Sequence, residues 1–460
     1  MRSRTLSLAQ AMGRCHFLTL VGIVTAIFIV PGGYLWAMAR RPPVEIAVTE
    51  DAEPVSLTLA DSFYAALRRS ETVAIAREEI EKTEGQFLKA TAEALGDFDF
   101  YIHQTYQEHQ RGDAGSSSIA STYIADLRRE RKFTYSQPIF QGFKSLGAIV
   151  GAGSLRNQRK QEWVRSEDLL FLEVVSAFYR LLSQNEDVRI IREIHRLLSE
   201  RIRDLEAREK IGRSRLSEVS TAKAKLKSLE ADLAASRGLL AVSDDILEYL
   251  TGLPTDAHYL KDDPWSEKTT AKLSEYLKTL SSRPDVEAAR EAVRTAKQAV
   301  VVAQSSLWPQ MTLDLNQYEK REGFQSGIDW DLLLKIDVPL FRGGENLGNL
   351  KEAISDWKKS QYMYSLAKRR AILDIKESYR TWKSSAQRWK ALEEAVKASE
   401  ENYRIQKSEY LRNLVNNLDV LEALESLLRT RREANWVFYQ MKENHWRLQV
   451  ATGKYRELIG

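Results

Sequence analysis

The stretch LKIDVPLFRGGE at residues 334–345 joins an apolar, alternating run to a glycine pair, and FTYSQPIFQGFK at residues 133–144 is built in the same way. Proline interrupts the hydrogen-bond ladder of a strand, and glycine allows the chain to change direction. Each stretch therefore predicts a joint at which a strand ends and a helix begins. The predicted joint residues are Pro138, Phe140 and Gly142 in the first copy and Pro339, Phe341 and Gly343 in the second.

The two joints belong to a longer internal repeat. They lie 201 residues apart, and the same offset aligns GRSRLSEVSTAKAKL at 212–226 with NLVNNLDVLEALESL at 413–427 without a gap. Upstream of the joints the offset becomes 213, because the first copy has a longer loop between its predicted strands. Two copies that differ by the length of one loop indicate an internal duplication.

Each copy continues past its joint into a very long helical pattern. Residues 145–209 and 346–410 contain no proline, and roughly 65 helical residues span about 100 Å. Each run then reaches a turn, at Gly212 or Asn413, which are the residue types that best tolerate the left-handed conformation of a helix end. Ser217 and the Asn residues beside the second turn are candidate caps for the returning helices.

Seven-residue spacing of apolar side chains predicts how these helices pack. The returning helices carry it at Val219, Leu226, Leu233, Leu240 and Leu247, and at Val420, Leu427, Ala434, Met441 and Leu448. The first outgoing helix has a seam at Val188, Ile191, Leu198, Ile202 and Leu205, with His195 in line. A sustained seven-residue period is typical of coiled coils, so each copy is predicted to form an antiparallel helical hairpin.

Four strands are predicted, two in each copy, after helical patterns at about 58–95 and 284–307. The first strand alternates from Phe98 to Tyr106, the second covers roughly 133–137, the third includes Met311–Leu315, and the fourth runs from Ile328 to Val338. Strict period-two alternation fits either a sheet packed on a core or a membrane barrel with a polar interior. Four lipid-facing strands cannot close by themselves, whereas three chains would supply twelve.

The N-terminus resembles a targeting segment. Arg2, Arg4 and Arg14 precede an apolar run at 17–30 and an Ala37-Met38-Ala39 site, the pattern of a secretory signal peptide cleaved after Ala39. An uncleaved inner-membrane anchor over Phe17–Ala39 is the alternative. The predicted division is 1–39 signal peptide, 40–56 lead segment, 57–253 first repeat, 254–282 connector or equatorial region, 283–453 second repeat and 454–460 tail.

No catalytic constellation is found in the sequence. It contains no H-E-x-x-H, Walker A or G-x-G-x-x-G motif, and its six His residues are scattered. The formal net charge is only +4 over 460 residues and no basic stripe is present, which argues against nucleic acid as a partner. The sequence therefore predicts a protein that is not an enzyme and that has no cofactor and no metal site.

The ordered set of motifs resembles the TolC-type outer-membrane efflux proteins over about residues 57–453. The motifs that carry the resemblance are LTLADSFYAAL, QPIFQGFK, RPDVEAAREAV, VPLFRGGE and LDVLEALESL. The resemblance implies a mostly α-helical chain with membrane β-strands, forming a homotrimer with a twelve-stranded barrel in outer-membrane lipid. It also implies a periplasmic adaptor and an inner-membrane efflux pump or ABC exporter as partners, and an outer-membrane location in a Gram-negative-type bacterium.

The same resemblance assigns roles to residues at the far end of the hairpins. Asp419 and Glu422 are expected to narrow a passive channel at its periplasmic end, with a weaker contribution from Glu218. The tips that would contact the adaptor are Ile211, Gly212 and Arg213 in the first copy and Arg412, Asn413 and Leu414 in the second. A solvated, capped helix start is the ordinary alternative for such acids. For the whole chain, the alternative function is an inner-membrane-anchored periplasmic coiled-coil protein.

Overall fold

The computed structural model describes residues 57–106, 127–254, 260–262, 271–322 and 325–459. The predicted signal peptide and lead segment lie outside these described residues, as does much of the predicted connector. In the first copy the elements are α1 (Leu59–Arg69), α2 (Glu71–Leu95), β1 (Asp97–Tyr106), β2 (Leu127–Gln141), α3 (Lys144–Lys210) and α4 (Leu216–Thr251).

The second copy repeats this order. A short helix, α5 (Leu273–Tyr276), and a 3-10 turn (Leu277–Ser282) lead into α6 (Pro284–Ser305), β3 (Gln310–Arg321), β4 (Trp330–Asp337), α7 (Glu345–Leu411) and α8 (Asn417–Ala451), followed by α9 (Tyr455–Ile459). The starts of α6 and β3 lie 213 residues after those of α2 and β1, and the starts of α7 and α8 lie 201 residues after those of α3 and α4. The element positions thus follow the two predicted offsets.

The helix pattern predicted at 58–95 is two helices rather than one. Ser70 separates them, because its extended backbone ends α1 while its side chain begins α2. The Ser70 N–H donates to Ala66 O at 2.8 Å, and its Oγ accepts from the Val73 N–H at 3.4 Å. A serine that can cap a helix allows a break of this kind inside an otherwise continuous helical pattern.

The four strands form one antiparallel sheet in the order β1-β2-β3-β4. Its pairing places the predicted apolar residues together: Phe98 lies opposite Tyr135, Tyr135 opposite Leu315, and Leu315 opposite Leu332. The next row holds the polar residues, with Asp99, Thr134, Asn316 and Asp331 side by side. One face of the sheet is therefore apolar and the other polar, and within the protomer β1 and β4 are edge strands.

The prediction for the second strand was too short. β2 runs from Leu127 to Gln141, so the basic cluster at 128–132, which lies outside the predicted bounds of the strand, pairs with β1, and its residues 130–132 also pair with β3. Pro138 also lies inside β2 and does not end it; the register with β3 shifts between Pro138 and Phe140. Such an irregularity is the place where a strand tolerates proline. In the second copy β4 ends at Asp337, before Pro339.

The helices continue the lateral order of the strands. Next to the sheet, α3 packs between α2 and α6, and α6 packs between α3 and α7. Further along, the hairpins α3–α4 and α7–α8 pack on each other through α3 and α8, around Ile194, Leu198, Leu205, Val420 and Leu424. Each long helix has 67 residues, which corresponds to about 100 Å. In the part of the chain described here, no helix is both long and apolar enough to cross a bilayer.

Candidate functional site: the tips of the helical hairpins

Both hairpins turn with the same backbone geometry. Gly212 has φ 71° and Asn413 has φ 59°, so both predicted left-handed positions are confirmed. The Arg213 N–H donates to Arg208 O at 2.8 Å, and the Leu414 N–H donates to Glu409 O at 3.0 Å. These bonds satisfy carbonyl groups that a helix end leaves without partners.

The predicted adaptor-contacting residues all lie on this turn surface. Ile211, Gly212 and Arg213 are exposed in the first turn, and Arg412, Asn413 and Leu414 are exposed in the second. Ile211 and Leu414 leave about two thirds of their side chains in solvent, at 66% and 68%. An apolar side chain with basic neighbours at the end of each hairpin gives this surface the composition of a contact site, and its role remains a prediction.

Asp419 begins α8 as part of a reciprocal cap. The Asn416 N–H donates to Asp419 Oδ2 at 3.0 Å, and the Asp419 N–H donates to Asn416 Oδ1 at 3.1 Å. This capping box satisfies two donors at the helix start. One oxygen of the predicted gate residue is therefore engaged in holding its own helix, while Glu422, one turn later, is exposed.

The first copy caps its returning helix differently. Glu218 takes the role of Asp419: its Oε2 accepts from Ser214 Oγ at 2.5 Å and from the Arg215 N–H at 3.4 Å. Ser217 was predicted as a candidate cap and is not one, because it lies inside α4, where its carbonyl accepts from Thr221 Oγ1. Of the Asn residues beside the second turn, Asn416 is the cap.

A buried arginine, missed by the sequence analysis, connects the two hairpins at this end. Arg201 is 6% exposed; its Nε donates to Asn417 Oδ1 at 3.1 Å and its Nη1 to Asp204 at 3.0 Å. Its guanidinium lies 3.7 Å from the centre of the Tyr410 ring. Burial lowers the pKa of Arg201, but arginine remains protonated in proteins.

Ion pairs continue the connection between the hairpins away from the tips. Lys225 of α4 contacts Glu425 of α8 at 2.5 Å, and this hydrogen bond holds the pKa of Glu425 below its ordinary value. Asp187 of α3 accepts from Arg432 of α8 through both of its oxygens, at 2.7 and 3.0 Å. Polar contacts thus join the two hairpins at several points along their length. Among the charged residues that make these contacts, Arg201 is buried.

The predicted joints differ in their surroundings. In the first copy, Gly142 and Phe143 lie between β2 and α3, and Phe140 has its ring 6.4 Å from that of Trp308. In the second copy, Pro339, Phe341 and Gly343 all lie between β4 and α7, and Phe341 is 86% exposed. Among the residues that the structure describes, no group of three or more His, Cys, Asp or Glu is arranged to hold a metal ion.

Comparison with known proteins agrees with this architecture. Residues 276–454 match the family model described as "Outer membrane efflux protein". The chain is 22% identical to the probable outer membrane lipoprotein SilC of Salmonella typhimurium, over 94% of this chain and 97% of that protein. It is 23% identical to the cation efflux system protein CusC of Escherichia coli strain K12, over 75% and 78% of the two chains.

A solved structure extends the similarity to the fold. The outer membrane protein VceC of Vibrio cholerae superposes with a TM-score of 0.74 at 23% identity, covering 86% of this chain and 96% of that one. The family match over residues 276–454 and the shared fold agree with the resemblance that the sequence motifs indicated: this chain is similar to the TolC-type outer-membrane efflux proteins.

Proposed function

We propose that the protein is a homotrimeric exit duct of the outer membrane, which receives substrates from an inner-membrane pump or ABC exporter through a periplasmic adaptor. An outer-membrane location and a transport role, rather than an enzymatic one, agree with the names of the relatives. The observation that carries the proposal is a four-stranded sheet with two open edges, joined directly to two hairpins of 67-residue outgoing helices.

The sheet has the surface that a section of membrane wall requires. On β4, Trp330, Leu332, Leu334 and Ile336 are each more than half exposed. The opposite face is joined by hydrogen bonds: Thr134 to Asn316 at 2.8 Å, and Asn316 and Tyr318 to Asp331 at 2.8 Å each. Lipid can cover the apolar face and water the polar face, and an even-numbered barrel of twelve strands needs three such sheets.

The hairpins supply the length for the rest of the duct. Helices of about 100 Å can extend from the membrane joint across a periplasm-sized distance. In this proposal the exposed turns at residues 211–213 and 412–414 meet the adaptor, and the joints around Gly142 and Gly343 connect the barrel to the helices. We propose the same division of the chain as the sequence predicted: a first repeat at 57–253, a connector at 254–282 and a second repeat at 283–453.

The gate is proposed at Asp419 and Glu422, with Glu218 as the weaker counterpart. Threefold symmetry would bring six carboxylates of the second copy to one end of the duct, which attracts cations and resists tight closure. Supporting this position, both acids lie in the first two turns of α8, at the hairpin tip. The capping bond at Asp419 uses one carboxylate oxygen.

Membrane fractionation and single-channel recording test the proposal. The expected result is a trimer in the outer-membrane fraction that forms cation-preferring channels in planar bilayers. Recovery of a monomer or dimer from the inner membrane, without channel activity, would instead favour the anchored coiled-coil alternative. The similarity to solved outer-membrane channels does not favour that alternative.

A further inference from the structure

The apolar face of the sheet ends in a row of aromatic side chains. Phe133 of β2 pairs with Phe100 on one side and with Gln317 on the other, and Gln317 pairs with Trp330. The rings of Phe100 and Phe133 lie 4.6 Å apart, and Trp330 is well exposed. Membrane barrels carry aromatic rows where the hydrocarbon meets water. In the proposed barrel this row marks the edge of the lipid band that is farther from the helices.

Basic side chains follow directly beyond the aromatic row on the same face. Alternation along β2 puts Phe133, Arg131 and Arg129 on one side of the sheet, and the pairing of 127–136 with β1 is regular, so this alternation is unbroken. Lys320 of β3 lies opposite Arg131, and both arginines are exposed. Successive residues on one face of a strand are about 7 Å apart. The basic row, which consists of Arg129, Arg131 and Lys320, therefore lies at the depth of lipid headgroups.

The other end of this apolar face has a different composition. Beside the helices, Met311 of β3 lies opposite Ile336 of β4, and both belong to the apolar alternation. Among the strand residues that the structure describes, Lys and Arg on this face occur in the basic row, at the end away from the helices. The two leaflets of a membrane around this sheet would thus meet different side chains, and the cations face the outer one.

We propose that the basic row binds phosphate groups of the lipid in the outer leaflet. This deepens, and rests on, the outer-membrane duct proposed above, because it names the lipid chemistry that the far rim of the barrel recognises. Arginine fits a phosphate with two parallel N–H donors, and anionic lipid attracts each basic side chain near its surface. Acyl chains lie against the aromatic row, and phosphates lie against the cations beyond it.

Two acids at this rim leave the arginines available to a phosphate. Glu319, the extra residue where β3 is irregular, lies 3.7 Å from Arg131, and the two side chains are 54% and 45% exposed. Exposed pairs of this kind are weak, so a lipid phosphate can displace Glu319. Glu322 pairs with Lys320 at 2.8 Å and accepts from the Arg129 N–H at 2.9 Å. Within the described part of the chain, no carboxylate pairs with the Arg129 guanidinium.

The same strand offers a matched control on its other face. Arg128 and Lys132 alternate with the two arginines and so belong to the polar face, where Arg128 lies 4.0 Å and Lys132 lies 3.7 Å from Glu130. Two substitutions on either face remove the same number of positive charges from the same stretch of chain. A difference between the two double variants therefore reports which face binds lipid.

Native mass spectrometry of the full-length protein in neutral detergent micelles tests the proposal, since it counts the lipids bound to each oligomer. The probe is lipid A that carries both of its phosphates, titrated into the protein. Arg129→Gln with Arg131→Gln should bind it roughly 25-fold more weakly, at about fivefold for each charge removed. Arg128→Gln with Lys132→Gln should bind like the unmodified protein. Arg129→Lys with Arg131→Lys keeps both charges and should retain most of the binding, which separates lost charge from faulty folding.

Two further titrations identify the ligand chemistry. Lipid A without its phosphates should bind weakly to every variant, and inorganic phosphate at the same concentration should not displace the phosphorylated lipid. Displacement by inorganic phosphate would assign the row to free phosphate and overturn the lipid site, as would equal weakening by the two glutamine double variants.

The same spectra report the oligomer and so separate this proposal from the duct. Trimers whose lipid binding does not depend on the basic row would overturn the lipid site and leave the duct intact. A monomer that still distinguishes the two double variants would overturn the duct and retain the lipid site.

Discussion

Arg201 in the first hairpin donates a hydrogen bond to Asn417, the first residue of α8 in the second hairpin, at 3.1 Å. Its guanidinium also covers the ring of Tyr410 in the last turn of α7. One buried side chain therefore contacts the end of one helix and the start of the next. The geometry of the second turn depends on a residue more than 200 positions earlier.

Replacing Arg201 should loosen the tip of the second hairpin. Arg201→Met keeps the packed stem but removes the hydrogen bonds and the ring contact, and we expect a loss of about 2 kcal/mol. Hydrogen exchange of the amides at 411–419 measures this opening free energy. Arg196→Met is the matched control, because Arg196 makes an exposed pair with Glu200 on its own helix. Equal effects of the two variants would show that burial of Arg201 is unimportant.

Asp419 should affect the channel through its charge, separately from its role as a cap. Asp419→Asn keeps an oxygen that can accept from the Asn416 N–H, so the cap is retained while the charge is removed. Because the carboxylates attract cations and their mutual repulsion resists closure, we expect Asp419→Asn with Glu422→Gln to lower single-channel conductance and to weaken the preference for cations. Planar-bilayer recording measures both quantities.

Asn416→Ala is the opposite control, since it removes the cap and leaves the charge. It should cost about 1 kcal/mol of helix stability without changing ion preference. If the charge-neutral pair conducts like the unmodified channel while Asn416→Ala alters it, the acids act only as caps.

The ion pair between Lys442 and Asp262 should respond asymmetrically to mutation. Lys442 of α8 is 2% exposed and contacts Asp262 at 2.5 Å, while the Lys261 N–H donates to Leu57 O at 3.0 Å. Asp262→Ala leaves an ammonium group buried, which is costly. Lys442→Met leaves a carboxylate that water can reach.

We therefore expect Asp262→Ala to lower the unfolding temperature more than Lys442→Met. It should also speed exchange of the Lys261 amide, which monitors attachment of this segment. Glu275→Ala, at an exposed acid of α5, provides a control for loss of an acid alone. If Lys442→Met lowered the unfolding temperature more than Asp262→Ala, the buried ammonium group would not be the main source of destabilisation.

The long helices could be predicted closely because their pattern is local. The proline-free runs 145–209 and 346–410 became Lys144–Lys210 and Glu345–Leu411. The repeat offsets were equally visible, since they depend only on matching sequence with sequence. The predicted heptads identified the packing of the hairpins because apolar spacing alone determines which helix face is buried.

Long-range contacts were harder to predict. Arg201 continues the spacing of Ile194 and Leu198, and that spacing was the available signal, but arginine is usually on the surface. Its burial depends on Tyr410 and Asn417, which only the fold brings close. The basic cluster at 128–132 lies outside the predicted strand for a similar reason: a run of charges is ordinarily solvated, and here pairing with the neighbouring strands extends β2.

The buried carboxyl groups that contact the C-terminal helix should make the stability of the fold depend on pH. Tyr455 of α9 is 1% exposed, stacks on Phe171 at 4.6 Å and donates to Asp168 at 2.8 Å. Arg456 contacts Asp168 at 3.1 Å and Glu167 at 2.9 Å, and Arg165 lies 3.8 Å from Asp168. Burial nevertheless raises the pKa of both Asp168 and Glu167 above the ordinary carboxyl value.

Proton linkage determines the direction of this pH dependence. Because both carboxyl groups hold their protons to higher pH in the folded chain than in the unfolded chain, their contribution to the free energy of unfolding is greatest below their ordinary pKa and falls as the pH rises through the raised values. The free energy of unfolding, measured by denaturant titration at a series of pH values, should therefore decrease as the pH rises above the ordinary carboxyl range of about 4. Asp168→Asn with Glu167→Gln should flatten this dependence, while the amide oxygen introduced at position 168 can still accept the hydrogen bond from Tyr455. An unchanged slope in that double variant would assign the pH dependence to other groups.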